Sequence, residues 1–172
     1  MENSIQLSAV EKFLRSIVQK YNHEKYWRYR SIVVDPNRGS KIGDLCRLYY
    51  IKRADAFNNA SMGTHRNFGA SFAEPPQLPH GLNGIIVSHN AVIGKDCRIY
   101  HQVTIGEGHD GAPQIGDHVV IGAGTKIVGK VKVGSYARIG AGCVITQDIP
   151  EHALVLAGAP SIIMKERTPS DA

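Results

Sequence analysis

The chain lacks the cysteine pattern of a crosslinked secreted domain. Its 172 residues hold three cysteines, Cys46, Cys97 and Cys143, an odd number with no close pair and no metal-type spacing. That usage fits reduced thiols in the cytoplasm. No apolar run approaches the ~20 residues of a membrane span. The opening MENSIQLSAVEKF is polar and acidic, with no apolar leader segment, so no secretory signal is expected. Aromatic residues are few, at 7 %, yet an apolar content of 42 % is too high for a disordered chain. The length fits one domain with a small extension.

Charge is unevenly placed. Residues 1–66 hold twelve Lys and Arg against six Asp and Glu, a net of +6. Residues 67–172 hold eight against nine, a net of −1. The basic third suits a phosphorylated substrate or the inner face of an anionic membrane, and equally a solvated helical surface. No block of five like charges singles out one of these, and no nucleic-acid partner is expected.

What is abundant is a six-residue repeat. From Val87 the chain reads VSHNAV, IGKDCR, IYHQVT, IGEGHD, then GAPQ, then IGDHVV, IGAGTK, IVGKVK, VGSYAR, IGAGCV, ITQDIP. Ile or Val opens all ten hexads, and Gly follows the opener in six. Four positions after the opener stand Ala91, Cys97, Val103, Val119, Thr125, Val131, Ala137, Cys143 and Ile149, with His109 the exception. Six residues cannot keep one face of a helix inward, but they suit a short strand followed by a tight corner. Three such sides close a triangular coil of eighteen residues. Coils stack at the ~4.8 Å strand spacing, so each side becomes a parallel sheet. The spacing breaks once, between Ile105 and Ile115, where four extra residues enlarge a glycine-rich loop. Loops on a rigid scaffold often carry function.

Upstream the period changes. Val10, Phe13, Leu14, Ile17, Val18 and Tyr21 share one helical face, with Ser8 and Glu11 placed as a capping box. After the polar stretch VDPNRGS a second helix is expected from about Lys41 to Phe57. The segment 62–86 reads as an irregular first coil, its prolines at 75, 76 and 79 arguing against helix. The expected layout is a helical extension over 1–61, the β-helix over 62–162 and a tail over 163–172, beginning near IIMKER as a coil cap.

The stretch HGLNGIIVSHNAVIGKDCRIYHQVTIGEG, followed by APQIGDHVVIGAGTKIVGKVKVGSYARIGAGCVITQDIPEHALVLAGAP, resembles the hexapeptide-repeat acyltransferases. Within them it is similar to serine O-acetyltransferases, and closer still to the short relatives that O-acetylate sugars in exopolysaccharide and capsule synthesis. The resemblance covers roughly residues 55–162. It implies a mainly β fold, a left-handed parallel β-helix, assembled as a homotrimer with sites at the subunit interfaces. It also implies acetyl-CoA as acyl donor and no metal.

His80 matches the family's catalytic histidine, with one extra residue before the strand that follows. A hydroxyl is a weak nucleophile near neutrality. A histidine, whose ordinary pKa is about 6.5, can take its proton as the oxygen attacks a thioester. His89 and His101 fall on the third hexad position, which normally faces outward; His101 is the better candidate to line a substrate cleft. His109 and Asp110 sit in the enlarged loop as substrate candidates. The resemblance places Gly106, Ala123 and Ala141 against the pantetheine arm of coenzyme A, with Arg138 for a phosphate. The histidine spacings of 9, 12, 8 and 9 from His80 to His118 do not suit a zinc site. Cys97 and Cys143 fall at interior positions as packing residues.

Three features depart from the serine enzymes. An Arg-His pair that holds the amino-acid carboxylate there corresponds to Gly111 and Ala112 here, and a bidentate arginine is the usual way to bind such a group. The acidic residue before the catalytic histidine is Pro79, and the preceding helical region is short. The expected activity is therefore O-acetylation of a sugar hydroxyl in surface-polysaccharide synthesis by direct transfer. Serine O-acetylation is the alternative, and a non-catalytic scaffold a third.

Overall fold

The computed structural model describes residues 9–37 and 42–159. Three helices lead into a parallel β-solenoid. Helix α1 spans Ala9–Val18, α2 His23–Val34 and α3 Ile42–Phe57. Asn22 caps α2, its side chain accepting from the Lys25 amide at 2.9 Å. The Ser8 cap and the segment after residue 159 lie outside the described residues.

Three sheets make the solenoid's three sides. One holds Ser61–Met62, Ile86–Val87, Thr104–Gly106, Lys126–Val128 and Val144–Ile145. The second holds Ser71–Phe72, Val92–Ile93, Gln114–Ile115 and Lys132–Val133. The third holds Arg98–Ile99, Val120–Ile121, Arg138–Ile139 and Leu154–Val155. The register pairs openers with openers: Val87 with Ile105, Ile105 with Ile127, Ile127 with Ile145. All ten openers are buried, and so are all nine residues four positions later. The hexad thus places two inward side chains per side, β-branched and then smaller, which fills a narrow triangular core.

The frequent glycine after the opener has a steric cause. A Cβ on Gly122 would lie 2.6 Å from the Ala141 amide nitrogen, and one on Gly116 would lie 2.7 Å from that of Ser135. The next coil's backbone already occupies the space. The corners also use positive φ at Asp96, Gln102, His118, Tyr136 and His152.

The first coil is irregular, as the sequence suggests. Between Met62 and Ser71 it throws out an antiparallel hairpin, Thr64–His65 against Phe68–Gly69. The helical unit closes this end. Tyr26, Trp27, Arg30 and Val33 form the buried side of α2. Sequence periodicity does not reveal this helix, because a cation, Arg30, sits on its buried face. Arg30 donates to the Met62 and Ala70 carbonyls and to the Thr64 hydroxyl, and stacks on Phe72 at 4.6 Å. Burial lowers its pKa to about 10, which leaves it a cation at neutral pH. Of the apolar face expected on α1, Val10, Leu14, Ile17 and Val18 are exposed in the single chain, and Tyr21, just after the helix, is buried.

Candidate functional site

His80 sits in the turn that carries the chain from the third side back to the first. Gln77 bridges to Arg98, and Leu78–Gly84 then reverse direction. The Gly81 amide donates to the Leu78 carbonyl at 3.0 Å, and the Ile85 amide to that of Leu82 at 2.9 Å. Gly81 and Gly84 adopt φ of +67° and +66°, which explains the two glycines of HGLNG. Leu82 is fully buried and anchors the turn. From outside, the Gly84 amide donates to Asn58, whose side-chain amide in turn donates to the Gln19 carbonyl at 3.0 Å. The helical unit therefore braces the turn that bears His80.

The imidazole of His80 is exposed, and His101 meets it from the next coil. Their Nδ1 atoms are 2.7 Å apart and their ring centroids 4.7 Å apart. The Tyr100 ring stands edge-on to His80 at 5.7 Å. His101, Ala123 and Ala141 occupy the same corner in successive coils, linked by bonds from the Gly124 amide to His101 and from the Gly142 amide to Ala123, 3.0 and 2.8 Å long. The two histidines thus head a straight row whose later members are alanines. Small side chains leave that row open to an extended ligand. Gly106 ends the neighbouring strand and accepts from the Gly129 amide.

Other sequence candidates lie elsewhere. Arg138 opens a strand on the third side and lines a different pocket of about 360 Å³ with His118, Tyr136, His152, Ala153 and Leu154. There His118, Tyr136 and His152 stack, at 4.7 and 4.9 Å between centroids. This ladder was not foreseen from the hexad pattern, although His118 and Tyr136 are one eighteen-residue coil apart, which is the signal for it. His118 bonds Asp96 at 3.0 Å, which holds that carboxyl below its ordinary range.

The enlarged loop folds back on itself. Gly108 and Gly111 bridge, and Asp110 accepts from the Lys130 amide at 3.4 Å. Glu107 accepts from Ser88 and Asn90. His109 is at the exposed tip. His109 and Asp110 are thus separated from His80 by the strand Thr104–Gly106 within one chain. Gly111 has φ of +137°, a conformation that side-chain-bearing residues rarely adopt. His89 packs against Phe68 of the hairpin at 5.0 Å. Cys97 and Cys143 are buried, and burial raises the Cys97 thiol. Among the described residues no three His, Cys, Asp or Glu side chains gather as a metal site would require.

Chemically, the corner offers an imidazole beside a row of small residues. Among the described residues His80 Nε2 makes no hydrogen bond. In the tautomer that leaves its lone pair free, such a nitrogen can accept a hydroxyl proton.

Comparison with known proteins agrees with this geometry. Residues 112–147 match the family described as bacterial transferase hexapeptide (six repeats). The serine acetyltransferase of Helicobacter pylori is 33 % identical over 129 residues, covering 70 % of this chain and 73 % of that protein. That of Mycobacterium tuberculosis is 38 % identical over 123 residues, covering 69 % and 53 %. This chain therefore spans only about half the length of the second relative. A serine acetyltransferase solved in complex with CoA superposes with a TM-score of 0.61 at 27 % identity, covering 83 % of this chain and 53 % of that one.

Proposed function

Because this chain belongs to the serine acetyltransferase family, we propose that it transfers an acetyl group from acetyl-CoA to a hydroxyl acceptor. The observation that carries the reading is His80, its Nε2 open, heading the Ala123–Ala141 row. The acyl donor's pantetheine arm lies along that row and brings the thioester carbonyl to the histidine. His80 takes the acceptor proton as the oxygen attacks, and main-chain amides of the corner stabilise the tetrahedral oxyanion. The proton then passes to the departing thiolate, so no covalent acyl-enzyme is required. Trimeric assembly belongs to this reading, and in it the enlarged loop of a neighbour brings His109 and Asp110 toward the acceptor.

The naming of the relatives as serine acetyltransferases supports L-serine as acceptor over the sugar favoured by the sequence departures. One observation keeps the sugar as a second reading. The positive φ of Gly111 disfavours any side chain there, and by the resemblance Gly111 and Ala112 correspond to the Arg-His pair that holds a carboxylate in the serine enzymes. Release of coenzyme A, measured with L-serine against a panel of free and nucleotide-linked sugars, separates the two. Saturable serine turnover well above the sugars supports the first reading; a preferred sugar with serine near background overturns it.

A further inference from the structure

We propose that His101 is the positioning residue that orients His80. The inference rests on the reading of His80 as general base. Among the described residues no carboxylate contacts His80; its contact at hydrogen-bond distance is the Nδ1 of another imidazole, 2.7 Å away. The same corner position is alanine in the next two coils, so a ring appears only in the coil where a ring can reach His80.

Two imidazoles joined Nδ1 to Nδ1 share one proton on that line, since two N–H groups cannot face each other at this distance. His80 carries its proton on Nδ1 and donates it to the Nδ1 lone pair of His101, whose own proton is on Nε2. The partner of one ring nitrogen sets the state of the other. His80 Nε2 is thereby fixed as a lone pair facing the acceptor. When the acceptor oxygen bonds to the thioester carbon, its proton moves to Nε2 and His80 becomes a cation held by the His101 lone pair. When the carbon–sulfur bond breaks, that proton goes to the thiolate, giving coenzyme A and the acetyl ester. His101 keeps one proton throughout.

The test combines kinetics with imidazole nitrogen NMR on the full chain, using whichever acceptor turns over. His101→Leu should lower kcat roughly 10- to 100-fold, part of the 10²–10⁴ that a placed acid–base group supplies, with KM for acetyl-CoA within about twofold. His80 should shift from the Nδ1–H toward the Nε2–H tautomer in the same variant. His101→Asn keeps an acceptor oxygen near the Nδ1 position and should restore kcat to within about threefold of wild type. Full kcat in His101→Leu together with loss of activity in His80→Ala would overturn the positioning role and leave the base intact. Full activity in His80→Ala would overturn the underlying reading itself. An Nε2–H tautomer of His80 in the wild-type protein would also overturn the proposal.

Discussion

Arg30 and Met62 are joined twice: Nε and Nη2 of the buried guanidinium both donate to the Met62 carbonyl, at 3.2 and 3.1 Å. Met62 ends the first strand of the solenoid, so this pair ties the helical unit to the first coil. A third bond reaches the Ala70 carbonyl at 2.7 Å, across the hairpin. Replacing Arg30 by Met keeps volume but strands these carbonyls. Arg30→Met should cost roughly 3–5 kcal/mol of stability, measured by urea unfolding. A loss below about 1 kcal/mol would mean that the carbonyls find other partners.

A second buried polar pair gives a pH dependence. The Tyr26 hydroxyl donates to Asp55 Oδ1 at 2.6 Å, while Oδ2 has no partner. Burial raises the Asp55 carboxyl from 3.8 to about 6. The folded chain therefore holds this proton where the unfolded chain has released it. Its contribution is most favourable below the unfolded value and declines as pH rises through the window from 3.8 to about 6, by roughly 3 kcal/mol in all. Asp55→Asn removes the titration. The stability of this variant relative to wild type should rise between pH 4 and pH 7, and a pH-independent difference would contradict the assignment.

Stacking of coils makes glycines unequal. A Cβ on Gly122 meets main-chain atoms of the next coil at 2.6 to 2.8 Å. At Gly142 it meets nothing within 4 Å, although φ is +71°. Gly122→Ala should therefore cost about 3 kcal/mol, by overpacking against backbone that cannot move aside. Gly142→Ala should cost only about 1 kcal/mol, the strain of a positive φ. Thermal unfolding of both variants checks the order, and a larger loss at Gly142 would contradict the stacking account.

The solenoid was legible because its signal is one-dimensional. A period of six with an Ile or Val opener needs no knowledge of distant contacts, and all ten openers proved to be inside. Helix α3 was legible from Lys41 to Phe57 and is observed at Ile42–Phe57. Helix α2 was not, because Arg30 points inward only by virtue of carbonyls 32 to 40 residues away. The same limit applies to the site. His80 could be chosen from its glycine-rich turn, and His101 from its outward hexad position. Their contact depends on the turn geometry of Gly81 and Gly84 and on the brace from Asn58, which the repeat does not encode. Arg138 could be assigned to a phosphate by resemblance, yet it opens its strand at the far end from Ala141 and shares a pocket with His118 and Tyr136.

Base catalysis by His80 is best tested by turnover. The measurement is the rate of coenzyme A release from acetyl-CoA, with the acceptor that the screen identifies, for wild type and a folded His80→Ala variant. With His80 as the general base, kcat should fall about 10² to 10⁴-fold in the variant, with KM for acetyl-CoA little changed. Turnover by His80→Ala at the wild-type rate would contradict it.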